Sequence, residues 1–401
     1  MKNLQAALGF IFVILLIDVI GIGIIIPVLP GLISEVANVD NSTSAIYGGY
    51  LLVAYSIMQF LFSPLIGALS DRYGRRPILL MSSFGIGLDF LLMAYAPTLS
   101  LLFVGRLIAG ILGGSFTTGA AYIADVSTPE KRAQNFGLIG VAFGLGFAVG
   151  PMIGGILGEY GTRVPFMAAA GLSLINWLYG LFILPESLPE EKRRKMDLKS
   201  VNPLTSLTRL KRYPKLSGLI FSLVFVYIAS HAVQSTWSYF TFEAFEWSTA
   251  QIGYSLGFVG VMSIIVQGGL IRIVIPKFGQ ERSIYLGMVL YAIGLVLFST
   301  ATQGWLMYPY LAVYCLGGIA GPALQGLMSN QVSDSEQGEL QGSLTSMMSV
   351  TSIIGPWIMT TLFAFFTAKG TTYYFPGAPM LLGAVLVLIG LFFSYRALNK
   401  E

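Results

Sequence analysis

Of the 23 Lys and Arg and the 19 Asp and Glu residues in this chain, only Asp18, Asp89 and Arg106 lie well inside long apolar runs. A charged side chain at the centre of a membrane helix costs about 2.5 to 3.5 kcal/mol on insertion scales, so each asks for a partner or a wet cavity. The chemistry they offer is proton binding. Desolvation favours the neutral carboxylic acid and a nearby cation favours the carboxylate, so a buried Asp can take up and release a proton as its surroundings change. Asp18 stands about 11 residues into the first run with no charged neighbour in sequence. It reads either as a protonatable residue facing a central cavity or as a buried aspartate hydrogen-bonded to a neighbouring helix. Asp89 and Arg106 are equally far from the turn Ala96-Pro97-Thr98-Leu99, on the order of 13 Å along each helix. Equal depth predicts an ion pair across that hairpin, either a static brace or a pair that opens when the carboxylate is protonated or substrate arrives. His231, the one histidine, has an ordinary pKa of about 6.5 that suits proton coupling, but a lone histidine equally serves as a hydrogen-bonded helix contact.

Other chemistries lack their residues. No His, Cys and carboxylate cluster has metal-ligand spacing, so no metal is expected. There is no phosphate loop, no paired histidines and no nucleophile triad, which argues against an enzyme, a cofactor or ATP as the energy source. An ion gradient is left.

The elements that position these residues are membrane helices. The 401 residues are 55% hydrophobic and 10% charged, against about 25% charged in soluble domains. Twelve apolar runs can be marked: Ala7 to Ile33, Ser44 to Ala68, Pro77 to Ala96, Leu99 to Ala124, Gln134 to Gly158, Val164 to Leu184, Pro214 to Phe240, Thr249 to Ile275, Ser283 to Ala301, Leu306 to Val332, Gln341 to Phe366 and Tyr373 to Arg396. Each is about the length that crosses a hydrocarbon core of roughly 30 Å. The fold class is therefore an all-α integral membrane protein with twelve transmembrane helices. Twenty of the 23 Lys and Arg residues fall on one side, which puts both termini in the cytoplasm. The net charge of +4 then reflects cytoplasmic loops and not nucleic acid. Cys315 is the only cysteine, so no intrachain disulfide forms.

The polar, basic segment 185–213 divides the runs into six and six: an N-terminal bundle 1–184, a cytoplasmic linker, and a C-terminal bundle 214–401. A short interfacial helix in the linker and contact with anionic lipid are further readings of its charge, beside that of a plain connection. The halves also match at an offset of about 205 residues. Tyr73-Gly74 corresponds to Phe278-Gly279, Gly113-Gly114 to Gly317-Gly318, and Gly150-Pro151 to Gly355-Pro356. Such a duplication makes two pseudo-symmetric six-helix bundles, with a substrate site at the repeat interface near the bilayer midplane.

Two motifs add a resemblance. Gly67-x-x-x-Asp71-Arg72-Tyr73-Gly74-Arg75-Arg76 resembles the signature loop between the second and third helices of the major facilitator superfamily. Gly146-x-x-x-Gly150-Pro151-x-x-Gly154-Gly155 resembles the motif of that superfamily's antiporters, with small residues for close helix approach and a proline that bends the helix. Matches at Asp18, Leu88-Asp89, Gly105-Arg106, Gln234-Ser235-Thr236-Trp237 and Pro322-Ala323-Leu324-Gln325-Gly326 are similar to the bacterial tetracycline efflux branch of drug:proton antiporters. The resemblance implies a proton-coupled exporter of a small amphipathic drug-like compound, working by alternating access as a monomer in a bacterial inner membrane. A proton symporter or facilitator of a small metabolite, or a non-transporting receptor on the same fold, is the alternative. In the superfamily the first, fourth, seventh and tenth helices line the path. The implied substrate residues are then Arg106 and Thr117 in the fourth, Tyr227, His231, Gln234 and Trp237 in the seventh, and Tyr310, Tyr314 and Gln325 in the tenth. Aromatic packing explains such side chains equally. Asp18, Asp89 and Arg106 are implied in proton coupling, and Asp71 in a cytoplasmic gate that reaches the other half or the end of the eleventh helix. Tyr291 stands where the branch carries a ninth-helix aspartate, so tetracycline itself does not follow from the resemblance.

Overall fold

A computed structural model describes residues 2–128, 131–193, 210–213, 216–333 and 336–399. Among the described residues, twelve helices are long and apolar enough to cross a membrane. They correspond one for one to the runs marked above. Most of the linker, including the expected interfacial helix, lies outside the described residues.

The interruptions within the spans are where sequence and structure part. The first run is two helices, Lys2–Ile25 and Leu29–Ala37. Pro27 has no N–H to donate, and Pro30 in the first turn of the second helix suits a fresh start. The fourth span breaks between Leu112 and Ser115 at Gly113-Gly114, where the Gly114 N–H reaches the Leu112 carbonyl at 2.7 Å. The tenth stays helical but tightens to a 3-10 turn at Gly317–Ile319, between Met307–Leu316 and Ala320–Ser329. The matched Gly-Gly pairs thus mark the place in each half where α-helical geometry lapses, as a break in the first half and a 3-10 turn in the second. The matched Gly74 and Gly279 also share one backbone shape, with φ of 103° and 80° at the head of the following span. Those left-handed values favour glycine. In the eighth span the helix widens to a π-helix over Ile264–Leu270, around Gln267-Gly268-Gly269, which apolar periodicity does not reveal.

The charged stretch 67–77 is not a loop. The second span continues as helix from Asn41 to Tyr73, the next begins at Arg75, and Gly74 alone makes the corner.

The chain packs as two compact units, one of Met1–Asn38, Ala54–Asn202 and Ser248–Gly260, the other of Val39–Val53, Pro203–Trp247 and Val261–Glu401. In the first unit, one face of the fifth span carries Gly146, Gly150 and Gly154, and the first span lies against it. A Cβ added at Gly150 would stand 2.7 Å from the Ile20 carbonyl oxygen, and one at Gly154 would run into the Ile24 carbonyl. Gly155 faces the other way, where a Cβ would meet Gly253 Cα at 3.0 Å. Beyond it Glu159 accepts from the Ala250 N–H at 3.0 Å and the Thr249 hydroxyl at 2.8 Å, capping the start of the eighth span. The Ala250 N–H, then the Thr249 hydroxyl, hold the Glu159 carboxyl below the usual glutamate range. A depressed pKa means the cap is complete above the ordinary Glu pKa and is lost as pH falls through the lowered one.

In the second unit the seventh span packs on the eleventh and twelfth, and the ninth on the tenth and twelfth. Asn41 donates to Glu243 at 2.8 Å and to the Tyr239 carbonyl at 3.1 Å, while the Tyr374 hydroxyl donates to the other Glu243 oxygen at 3.0 Å.

Candidate functional site

Asp89 and Arg106 meet as the hairpin depth requires. Both are buried, at 1% and 9% exposure. Arg106 Nε donates to Asp89 Oδ1 at 3.3 Å, and Nη2 pairs with Oδ2. Gly105 permits this, because a Cβ there would lie 2.7 Å from Asp89 Oδ1. The second span adds two residues that sequence reasoning missed. Arg106 Cζ lies 6.0 Å from the Tyr55 ring centroid, and Gln59 donates to the Tyr55 hydroxyl at 3.0 Å and to the Gly113 carbonyl at 3.4 Å. The broken fourth span thus hands a free carbonyl to a polar chain that runs from Gln59 through Tyr55 to the ion pair. Polar residues four apart in the second run, Tyr55 and Gln59, were the available signal. Thr117 stands apart from this chain, exposed, with its hydroxyl 3.3 Å from that of Ser63.

Asp18 is fully buried in the same unit. Asn176 of the sixth span donates to Asp18 Oδ1 at 2.8 Å and to the Ile14 carbonyl at 3.0 Å. Oδ2 accepts no hydrogen bond of normal geometry, and Ser115 lies near the carboxyl. The helix-contact reading of Asp18 therefore has its partner, and the second oxygen is left as a place where a proton can bind without breaking the Asn176 bond.

At the charged corner the structure gathers acids around one buried arginine. Arg75 is 8% exposed and pairs with Asp71 at 2.5 Å and Asp125 at 2.9 Å, and it donates to Ser70 at 2.7 Å. Asp71 is thus held inside its own motif by Arg75, where sequence reasoning expected a reach toward the other half. The two residues stand four apart on either side of the Gly74 corner, which brings their side chains within reach. Glu186, which sequence reasoning missed, accepts from the backbone N–H groups of Arg75 at 2.8 Å and Arg76 at 3.2 Å. A carboxylate is favoured there by the orphan donors and the dipole of the third span. A Cβ at Gly74 would collide with that carboxylate. Arg76 donates to the Leu181 carbonyl at 2.5 Å, while Arg72 lies over the Tyr73 ring. Both arginines are tied to protein groups. Gly67 has open space at its Cβ position but gives its carbonyl to Ser70 at 2.8 Å. Replacing Glu186 with alanine is expected to lower stability by about 0.5 to 2 kcal/mol, the range of a lost cap, with aspartate recovering part of it. Unfolding in detergent measures this, and an unchanged midpoint would remove Glu186 from the motif.

In the second unit, Gln325 donates to the Tyr227 hydroxyl at 2.7 Å, joining the tenth span to the seventh. Gln234 is exposed and donates to Ser230 at 3.2 Å. The imidazole of His231 is 8% exposed and packs on Gly355, where a Cβ would come 2.6 Å from its Cγ. Tyr310 is half-buried. The Tyr314 hydroxyl lies 3.4 Å from that of Tyr291, with the rings 4.9 Å apart. Trp237 is a core residue, 2% exposed, with Phe298 at 5.1 Å and Trp247 at 6.5 Å. Helical spacing put it in line with Tyr227 and Gln234, but the aromatic cluster covers it.

Twelve spans, close glycine seams and intramembrane carboxylates tied to partners define a helical membrane transporter. The model of the Major Facilitator Superfamily matches residues 11–331 and 273–400. The tetracycline resistance protein, class C, of Escherichia coli is 39% identical over 373 residues, 93% of this chain and 92% of that protein. The class H protein of Pasteurella multocida is 36% identical over 389 residues, 96% of this chain and 94% of its own length. Multidrug resistance protein 2 of Bacillus subtilis is 30% identical, covering 86% of this chain and 87% of that one. Among solved structures, the human organic anion transporter MFSD10 superposes with a TM-score of 0.73 at 25% identity, covering 98% of this chain and 99% of that one. The nucleoside transporter NupG reaches 0.77 at 14% identity over 98% and 100%, which speaks to the fold alone. This chain belongs to the major facilitator superfamily. It is an integral protein of the bacterial inner membrane and a secondary transporter of the drug-efflux type, acting on a small molecule.

Proposed function

We propose that this chain exports a small amphipathic compound in exchange for protons by alternating access, as a monomer with both termini in the cytoplasm. Its two six-helix bundles are 1–184 and 214–401, joined by 185–213. The observation that carries the reading is Asp18, a buried carboxyl with one oxygen held by Asn176 and the other without a hydrogen bond of normal geometry. Such a group binds a proton without losing its anchor. Asp89 and Arg106 form the second element, since protonation of Asp89 would release Arg106 toward Tyr55 and Gln59. Gly146, Gly150, Pro151, Gly154 and Gly155 favour antiport over symport by the superfamily resemblance. Tyr227, His231, Gln234, Tyr310, Tyr314 and Gln325 are the cargo-contact candidates of the second unit, neutral polar and aromatic, and Arg106 and Thr117 are those of the first. The relatives named for tetracycline resistance and multidrug resistance support an antibiotic-like cargo. Tyr291, hydroxyl to hydroxyl with Tyr314, gives this chain its own chemistry in the ninth span.

The test is reconstitution of the purified chain in proteoliposomes with an imposed proton gradient and a panel of amphipathic antibiotics. Accumulation of at least one compound against its gradient, with matching proton release, is expected. Transport that persists after the gradient is collapsed, or no transport with any compound, would overturn the reading.

A further inference from the structure

In the second unit the ninth and twelfth spans enclose an apolar groove of about 350 Å³. Tyr285 and Val289 line it from one side, and Leu388, Leu391, Phe392 and Tyr395 from the other. Val289, Leu388, Phe392 and Tyr395 are 40, 50, 53 and 58% exposed, although they stand in membrane-crossing helices. Large apolar side chains left open there are covered by hydrocarbon. The groove has almost no polar wall, so it lacks the convergent donors and acceptors that would orient a polar cargo.

One end of the groove is different. The rings of Tyr285 and Tyr395 lie 6.2 Å apart at that end, and amphipathic rings sit at headgroup level. Arg396 holds its guanidinium 5.6 Å from the Phe392 ring centroid. Arg282, also exposed, stands one turn before Tyr285 on the ninth span, and the acid beside it is Glu281, which faces Tyr285. Among the described residues, two arginines against one glutamate leave this end positive. A positive mouth on a hydrocarbon-lined groove between membrane helices is complementary to an anionic headgroup on an acyl chain.

We propose that this groove seats one acyl chain of an anionic glycerophospholipid, with its phosphate on Arg396 at the tyrosine-lined end. The site is separate from the proposed transport residues, so it stands or falls independently of the cargo. The stacked guanidinium is pre-positioned by Phe392, and the chain lies along Val289 and Leu388.

Native mass spectrometry in a mild detergent, after exchange with dioleoyl-phosphatidylglycerol or dioleoyl-phosphatidylcholine, tests the proposal. Phosphatidylglycerol is expected to stay bound and phosphatidylcholine to be lost. Arg396→Gln should reduce retained phosphatidylglycerol about fivefold, as one arginine at a membrane surface contributes on that scale. Leu388→Trp, which fills the groove, should reduce it comparably, while Ile175→Trp, at an exposed position in the sixth span, should not. Melting curves separate loss of the site from loss of the fold, and exposed Arg396 decides the matter if the tryptophan variant unfolds. Equal retention of both lipids, phosphatidylglycerol binding that ignores Arg396→Gln, or a second copy of the chain held in the lipid's stead would each overturn it.

Discussion

Replacing Arg106 with alanine while Asp89 remains is expected to destabilise the protein by about 3 to 5 kcal/mol, the cost of leaving a buried charge without its partner. Asp89 is 1% exposed, so no water replaces the guanidinium. Asp89→Asn alone should cost a similar amount, because it strands the arginine. The double variant Asp89→Asn with Arg106→Gln keeps the shape, removes both charges, and should fall short of the summed single effects by at least about 1 kcal/mol. Unfolding in detergent micelles measures all three. Strict additivity would mean that the contact between Asp89 and Arg106 contributes nothing. Transport then separates the two roles of the pair: a brace predicts that efflux follows stability, whereas a pair that opens predicts a stable double variant that no longer couples.

That pair was legible in the sequence because a tight turn fixes depth on both helices, and depth alone brings Asp89 to Arg106. The matched Gly-Gly pairs were legible too, the first a break in its span and the second a 3-10 turn. What stayed hidden came from sequence-distant partners or from local hydrogen bonding. Asn176 reaches Asp18 from 158 positions away, and Glu186 reaches Arg75 from 111. Nothing in composition links such residues. The π-helix at Ile264–Leu270 was hidden because its apolar content suits an ordinary span. Trp237 shows the converse failure, since helical spacing gives the direction of a side chain but not what lies in front of it. The corner at Gly74 was legible as a turn between two spans, but its extent was not: helix runs to Tyr73 and resumes at Arg75, with Glu186 capping the start of the third span.

Asp18→Asn is expected to abolish drug resistance in a pump-deficient bacterium while leaving the protein folded and in the membrane. The amide keeps an oxygen to accept from Asn176, so the link between the first and sixth spans survives, and the stability change should stay within about 1 kcal/mol. What the amide cannot do is gain and lose a proton. In proteoliposomes, substrate should still bind, and drug addition should no longer release protons. Asp18→Glu restores a titratable group but pushes an extra methylene into a fully buried site, which costs roughly 1 to 3 kcal/mol, so partial recovery of coupling in a less stable protein is expected. Asn176→Ala is the complementary change. It removes the donor to Oδ1 and disfavours the ionised carboxylate. The pH dependence of transport should then move upward, because the carboxyl now releases its proton only at higher pH. Resistance that survives Asp18→Asn would move the proton step to Asp89, and an unmoved pH profile in Asn176→Ala would leave Asp18 as a packing residue alone.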